Sequence, residues 1–334
     1  MLSRPSVSVC IPTYNRAGFL KQAIHSVLTQ SFEDFELIIS DNASDDTTEA
    51  VVRSFDEPRI RYGRTSFNIG HRANWNRCLE LSRGKFITIL PDDDAMLRDN
   101  LESKVDVLSR NPGVGLVHSK FHVIDNDGRI IIHNTGKGKT AGRVGDAIDV
   151  GHEVLAAMLA CNIICESTVL FRRECYERLG GFSSQVNFAF DWEYWMRITK
   201  HYDVGFVAKS LVKCRHHEGT LSSRLLRADL STRISILRAD LAAMRWILTT
   251  YLPSVPSGRS QLRKYVWEQM GTRVARWAEE MMGDGGPNRR ARSSLMEMCR
   301  GYPEILIDAN VWKALIKSVV SRRTVLILKR ISPV

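Results

Sequence analysis

Between Val7 and Asp94 three short runs rich in β-branched and aromatic residues each end on a polar cluster, and this repetition constrains the fold more than any other feature. Residues 6–11 read as a buried strand that Pro12 stops, residues 35–40 as a second strand ending on the polar turn 41–47, and residues 86–90 as a strand running into Pro91-Asp92-Asp93-Asp94. Between them, Phe19, Leu20, Ile24, Val27 and Leu28 recur at helical spacing; residues 60–62 read as a short strand and 73–81 as a helix. Short strands alternating with amphipathic helices predict an α/β domain built on a mostly parallel sheet. In open sheets of this kind ligands bind beyond the carboxyl ends of the strands, so the three polar clusters are expected along one edge.

Charge places the second boundary. The net charge of +10 suggests a nucleic-acid or membrane partner until it is located: residues 1–220 carry 27 Lys and Arg against 28 Asp and Glu, and residues 221–334 carry 20 against 9. The expected organisation is therefore a domain over 1–222 and a basic helical C-terminal region over 223–334. In that region Leu230, Ile234, Leu237, Leu241, Met244, Leu248 and Tyr251 form one helical stripe. Packing on its own domain is the favoured reading of the stripe, and a homodimer contact the alternative. Further helices are expected over 261–282, 289–299 and 310–320.

Arg289, Arg290 and Arg292 form a basic cluster without interleaved aromatics, so no nucleic-acid partner is expected. Val311, Trp312, Leu315, Ile316, Val319 and Val320 share a helix face, with Lys313 and Lys317 off it, which suits a peripheral anionic membrane surface as well as a packed helix. No apolar run approaches the ~20 residues of a membrane-spanning helix, and no secretory signal is evident at the N-terminus, so a cytoplasmic location is expected. The seven cysteines show no CxxC pair and read as reduced packing residues, Cys161 and Cys165 included. Asp125-Asn126-Asp127-Gly128 lacks the remaining ligands of a calcium loop and reads as a hairpin turn.

The run Asp92-Asp93-Asp94 puts hard oxygen donors directly after a strand, where a magnesium or manganese ion could bridge them to phosphate. Three adjacent carboxylates repel one another, and a cation would relieve that; a solvated helix start is the alternative. Around this run the order of motifs is specific: Val7 to Arg16 (VSVCIPTYNR), Asp41 to Thr47 (DNASDDT), the aspartates, then Leu179-Gly180-Gly181-Phe182, Asp191 to Arg197 (DWEYWMR) and Cys214 to Gly219 (CRHHEG). In this order, over about residues 5–222, the chain resembles the family 2 glycosyltransferases of GT-A fold.

The resemblance implies an α/β GT-A nucleotide-diphospho-sugar transferase fold and inverting transfer of one sugar from a nucleotide diphosphate, UDP favoured, to an acceptor hydroxyl. Surface-polysaccharide or lipopolysaccharide assembly, on a glycan or lipid-linked acceptor, is the pathway it suggests. It further implies that Pro12, Thr13, Tyr14, Arg16 and Asn68 line the nucleotide-sugar site, that Asp41 accepts from the base's imide, and that Asp92 and Asp93 lie along the donor. A divalent Mn2+ or Mg2+ would be held by Asp92, Asp94 and His217, and Asp191 would be the catalytic base.

Several residues depart from the family pattern. Pro91 stands at the usual first acidic place, Trp75 where many relatives have Arg, and Phe190 where many have Glu; Arg72 or Arg77 could compensate for the lost cation. Arg245-Trp246 lacks the Gln of the processive motif, Ala242 standing there, so a single-sugar transferase is expected. A dinucleotide-binding dehydrogenase is excluded by the absence of a glycine-rich turn after the first strand. A sugar nucleotidyltransferase, which normally opens with a glycine-rich, basic loop, fits no better. A non-catalytic sugar-nucleotide or glycan-binding module on the same fold is the remaining alternative.

Overall fold

The computed structural model describes residues 4–186, 189–217, 230–282 and 289–319. The chain divides into two compact units, Met1–Thr220 and Leu221–Val334.

The first unit follows the order β1 (Val7–Thr13), α1 (Ala17–Leu28), β2 (Phe35–Asp41), α2 (Thr48–Arg53), β3 (Ile60–Arg64), α3 (His71–Leu81), β4 (Phe86–Ile89), β5 (Ala95–Met96), α4 (Asn100–Arg110) and β6 (Val114–Ile124). It continues with β7 (Ile130–Thr135), β8 (Ala147–Asp149), α5 (Gly151–Ala160), β9 (Leu170–Arg172), α6 (Arg173–Leu179), α7 (Phe190–Thr199) and β10 (Asp203–Arg215). These strands form one mixed sheet in the order β3-β2-β1-β4-β9-β6-β10-β5, with β7 on β6 and β8 on β10. The half from β3 to β4 is parallel, as the alternation predicts, and β9 enters antiparallel between β4 and β6. β1, β2 and β4 are buried along their whole length because helices cover the sheet. Leu20, Ala23, Ile24 and Val27 of α1 are fully buried at three- and four-residue spacing against this core.

Pro12 does not stop β1 as expected. The strand runs on to Thr13, paired with Asp41 of β2, while pairing with β4 ends at Cys10↔Ile89. The carbonyl of Cys10 accepts from Leu90 N–H at 2.9 Å, so Cys10 faces β4 and so does residue 12, two positions on. Its missing N–H thus falls where the β4 ladder has already ended, which is how a proline is tolerated in an inner strand.

Residues 125–128 make the expected hairpin turn. Gly128 adopts φ +83° and donates to the Asp125 carbonyl, and the Asp125 and Asp127 carboxylates are taken by Arg129. The second unit comprises α8 (Leu230–Tyr251), α9 (Arg259–Met282), α10 (Arg289–Gly301) and α11 (Ala309–Val319). Ile234, Leu237, Leu241, Met244, Leu248 and Tyr251 are all buried within the single chain, the favoured reading of that stripe. On α11, Val311 and Ala314 are buried and Trp312 is half-exposed. Val320 and the side chains of Leu230, Arg289, Arg290, Ile316, Lys317 and Val319 lie outside the described residues.

Candidate active site

The carboxyl ends of β1, β2 and β4 bring the predicted clusters together. Thr13 Oγ1 donates to Asp92 Oδ2 at 2.7 Å, and Arg16 Nη1 reaches Asp92 Oδ1 at 3.1 Å and Asp93 Oδ2 at 2.5 Å. Asp93 Oδ2 also lies 3.1 Å from His217 Nε2, whose ring packs on Phe19. Asp94 is gripped on both oxygens, by Arg215 N–H at 2.7 Å and by the hydroxyl of Ser167. All three aspartates are buried. Burial, then the neighbouring Asp93, pushes the Asp92 carboxyl up to about 6 and Asp94 well above the usual carboxylate range. The run thus carries more negative charge than its protein partners comfortably hold.

Asp92, Asp94 and His217 do not gather round one point: His217 sits on Asp93, and among the described residues no three acidic, imidazole or thiol groups converge as a metal cage. What the donor set fits is a hard cation taking one or two carboxylates here and its other ligands from a diphosphate, the usual manner of magnesium beside phosphate.

Around the expected nucleotide cradle, Asp41 Oδ1 accepts from Ser44 N–H at 2.8 Å and Oδ2 from the Tyr62 hydroxyl at 2.6 Å. Asn68 accepts from Asn42 Nδ2 and from Gly70 N–H, holding the loop before α3. Tyr14 is exposed beside Asn15, whose φ of 54° turns the chain from β1 into α1. Arg77, one of the two cations expected to compensate, donates through Nη1 to Ser40 Oγ and the Gly63 carbonyl.

Asp191 lies in the first turn of α7, behind Ala189 at the cap, rather than at the cap itself. Its side-chain partner is Asn162 Nδ2, 3.4 Å from Oδ2. Burial first, then Glu166, raises this carboxyl to about 6, with Lys137 pulling the other way. A carboxyl raised this far can take up a proton closer to neutrality than an ordinary aspartate can.

The model of the family described as glycosyl transferase family 2 matches residues 8–180, more than half of the chain. The chain belongs to that family. A Campylobacter jejuni glucosyltransferase, named for a GalNAc(5)-diNAcBac-PP-undecaprenol substrate and a β-1,3 linkage, is 35% identical over 137 residues, 40% of this chain and 43% of that protein. The chain therefore spans less than half of that relative. Among solved structures, S. aureus TarS 1-349 with UDP-GlcNAc superposes with a TM-score of 0.62 at 14% identity, covering 93% of this chain and 90% of that one. The Pyrobaculum calidifontis mannosyltransferase PcManGT with GDP-Man and Mn2+ gives 0.57 at 20% identity, covering 95% and 88%. The fold is GT-A.

Within this glycosyltransferase two of the three residues that depart from the expected family pattern touch each other. Trp75 and Phe190 meet edge to face at 5.3 Å between ring centroids, and both pack on Phe182 and on the ring of His71. Both are 3% exposed. The two positions at which the resemblance implies an Arg and a Glu thus form one aromatic corner, and Phe190 immediately precedes Asp191. The Trp75 indole Nε1 is buried there and finds no acceptor among the described residues.

Sequence reasoning missed the residues that hold the site. Arg215 is a hub: Nε donates to the Asp93 carbonyl at 2.8 Å, Nη1 to the Asp125 and Asn126 carbonyls, and Nη2 to Gln22 at 2.7 Å, with the guanidinium over Phe19. Its place before two histidines at a strand end was the one available signal. Asn162, Glu166 and Ser167 had none. Cys165 is buried, as its packing reading expects, and faces Cys214 of β10 with 3.6 Å between the sulfurs, whereas Cys161, given the same reading, is exposed.

Proposed function

We propose that this glycosyltransferase moves one sugar from a nucleotide-diphosphate donor, UDP favoured, to an acceptor hydroxyl with inversion, and that residues 1–222 form the transferase domain. The observation that carries the reading is the placement of Asp191. It is a carboxylate that burial and Glu166 raise to about 6, and the segment running from Asn162 to Ser167 links it to Asp94.

Asp191 takes the proton of the acceptor hydroxyl as its oxygen attacks the anomeric carbon from the face opposite the diphosphate. Thr13 and Arg16 hold Asp92 and Asp93 along the donor, with Pro12 and Tyr14 beside them. Asp41 and Asn68 shape the nucleotide loop. Asp92 and Asp94 would hold a Mn2+ or Mg2+ shared with the diphosphate; when bound, the ion neutralises charge developing on the leaving group. The Mn2+ beside GDP-Man in the mannosyltransferase of the same fold supports this use.

The undecaprenol-linked substrate in the C. jejuni relative's name supports a lipid-linked or glycan acceptor and a role in surface-polysaccharide or lipopolysaccharide assembly. No helix among the described residues is long and apolar enough to cross a membrane. A basic second unit with a half-exposed Trp312 suits peripheral contact with the inner face of an anionic membrane.

Asp191→Asn is expected to bind UDP with Mn2+ as wild type does while transfer falls by about a thousandfold; undiminished transfer refutes the assigned base. Calorimetry with UDP in Mn2+ and then in chelator is expected to show at least about tenfold weaker binding without the ion. Unchanged affinity removes the cation from the reading.

A further inference from the structure

The segment 162–167, between α5 and β9, touches three parts of the site within six residues. Asn162 points at Asp191, Glu166 Oε2 lies 3.3 Å from Lys137 Nζ, and Ser167 donates to Asp94. The segment is internally fixed: Ile164 N–H donates to Asn162 Oδ1 at 3.1 Å, and Thr168 Oγ1 to the Cys165 carbonyl at 2.7 Å. The opposing loop is fixed as well. Lys137 precedes the 3-10 turn Gly138–Thr140, and Thr140 returns to its carbonyl through Oγ1 at 2.8 Å and N–H at 3.2 Å. Gly138 adopts φ +54°, and a Cβ there would lie 2.8 Å from Ile163 Cγ2, so the loop sits on the segment with no room for a side chain.

Two rigid pieces are thus joined by a cation and an anion, and Asp191 lies beside both. Of the charged groups facing it, Glu166 opposes its ionisation and Lys137 favours it. The Phe190 ring next in sequence adds no charge, and burial, then Arg16, push the His71 imidazole on which it packs below its ordinary value. The Lys137 and Glu166 side chains keep 36% and 34% of their surface exposed. Each favours the charged form of the other, Lys137 above its ordinary range and Glu166 below its own.

We propose that Lys137 and Glu166 are a positioning pair for the transfer reaction. The ammonium fastens the 162–167 segment to the 136–140 loop and balances the Glu166 carboxylate beside Asp191. This rests on Asp191 being the base.

Removing the ammonium leaves Glu166 unopposed, so Asp191 keeps its proton to higher pH and fewer molecules carry a competent base at neutrality. Removing the Glu166 charge has the opposite effect and leaves a weaker base. Lys137→Arg keeps the balance.

The test is a pH titration of the full chain carrying carboxyl-13C aspartate, followed by NMR, with the Asp191 resonance identified by its loss in Asp191→Asn. The wild-type midpoint is expected near 6. Lys137→Met is expected to move it up by about 1 unit and Glu166→Gln to move it down by a similar amount, with Lys137→Arg restoring it. A merely structural role for Lys137 would lower the melting temperature and leave the midpoint in place. That result, or a Glu166→Gln midpoint that does not fall, overturns the pairing; if Lys137→Met does not fold, Glu166→Gln and Lys137→Arg decide. Failure of the base reading shows separately, as undiminished transfer by Asp191→Asn whatever the titrations give.

Discussion

Asp92 and Asp94 have both carboxylate oxygens engaged by protein donors, from Thr13, Arg16, Ser167 and Arg215. Asp191 has one side-chain donor, at 3.4 Å, beyond the N–H groups of its own helical turn. Both regions raise their carboxyls by burial first and a neighbouring carboxylate second, and they differ in what opposes the rise. At the acidic run the Arg16 charge and hydrogen bonds from Thr13, Ser167 and Arg215 oppose it; at Asp191 the Lys137 ammonium leads the opposition. Under the proposed roles, a region that receives a charged ligand has its oxygens held in advance, whereas one that gains and loses a proton has fewer fixed donors.

The sharpest way to break this comparison is to recharge the aromatic corner. Phe190→Glu alone buries a carboxylate against Trp75, and Trp75→Arg alone buries a guanidinium against Phe190; each is expected to cost at least about 3 kcal/mol in chemical denaturation. The double variant is expected to recover at least about 1 kcal/mol of the summed loss. Strict additivity would mean that the two positions do not act as a unit.

Next in size is Asp92→Asn. The folded carboxyl titrates near 6, above its ordinary 3.8, so the folded chain binds that proton more tightly than the unfolded one. Stability is therefore lost as pH rises between these values, and the penalty is complete above about 6. The amide removes it: melting at pH 7.5 is expected to show a gain of about 1–2 kcal/mol that vanishes towards pH 4, while UDP binding weakens. A gain that persists at pH 4 would place the strain elsewhere.

The smallest effect is expected at Asn162→Ala. A 3.4 Å contact contributes little, so stability should change by under about 1 kcal/mol and the Asp191 midpoint should stay within a few tenths of wild type. A large shift would show that Asp191 relies on this one bond after all.

The half of the sheet from β3 to β4 was legible in the sequence because parallel, doubly covered strands read as continuous apolar runs closed by polar turns, and the site residues of that half lie where the turns put them. Strands of two or three residues, such as β5, β8 and β9, leave no periodicity to read. The same limit applies across the site. Ser167 meets Asp94 from 73 positions away, and Trp75 meets Phe190 across an even longer separation. In both cases the partners come from elements whose adjacency is set by the sheet order rather than by any local pattern. Pro12 was misread for a different reason: a proline stops a strand only on the side its N–H would have faced, and that side is fixed by the neighbouring strands.

That proline also sets where the sheet unzips. The rung after Cys10–Leu90 would need an N–H from residue 12 to meet the carbonyl of Leu90, and residue 12 has none to offer. Backbone pairing between β1 and β4 ends there, two residues before the first aspartate, and Asp92 is tied back to β1 through its side chain, on Thr13. A missing backbone hydrogen thus hands the closing contact between the two strand ends from the ladder to a side chain.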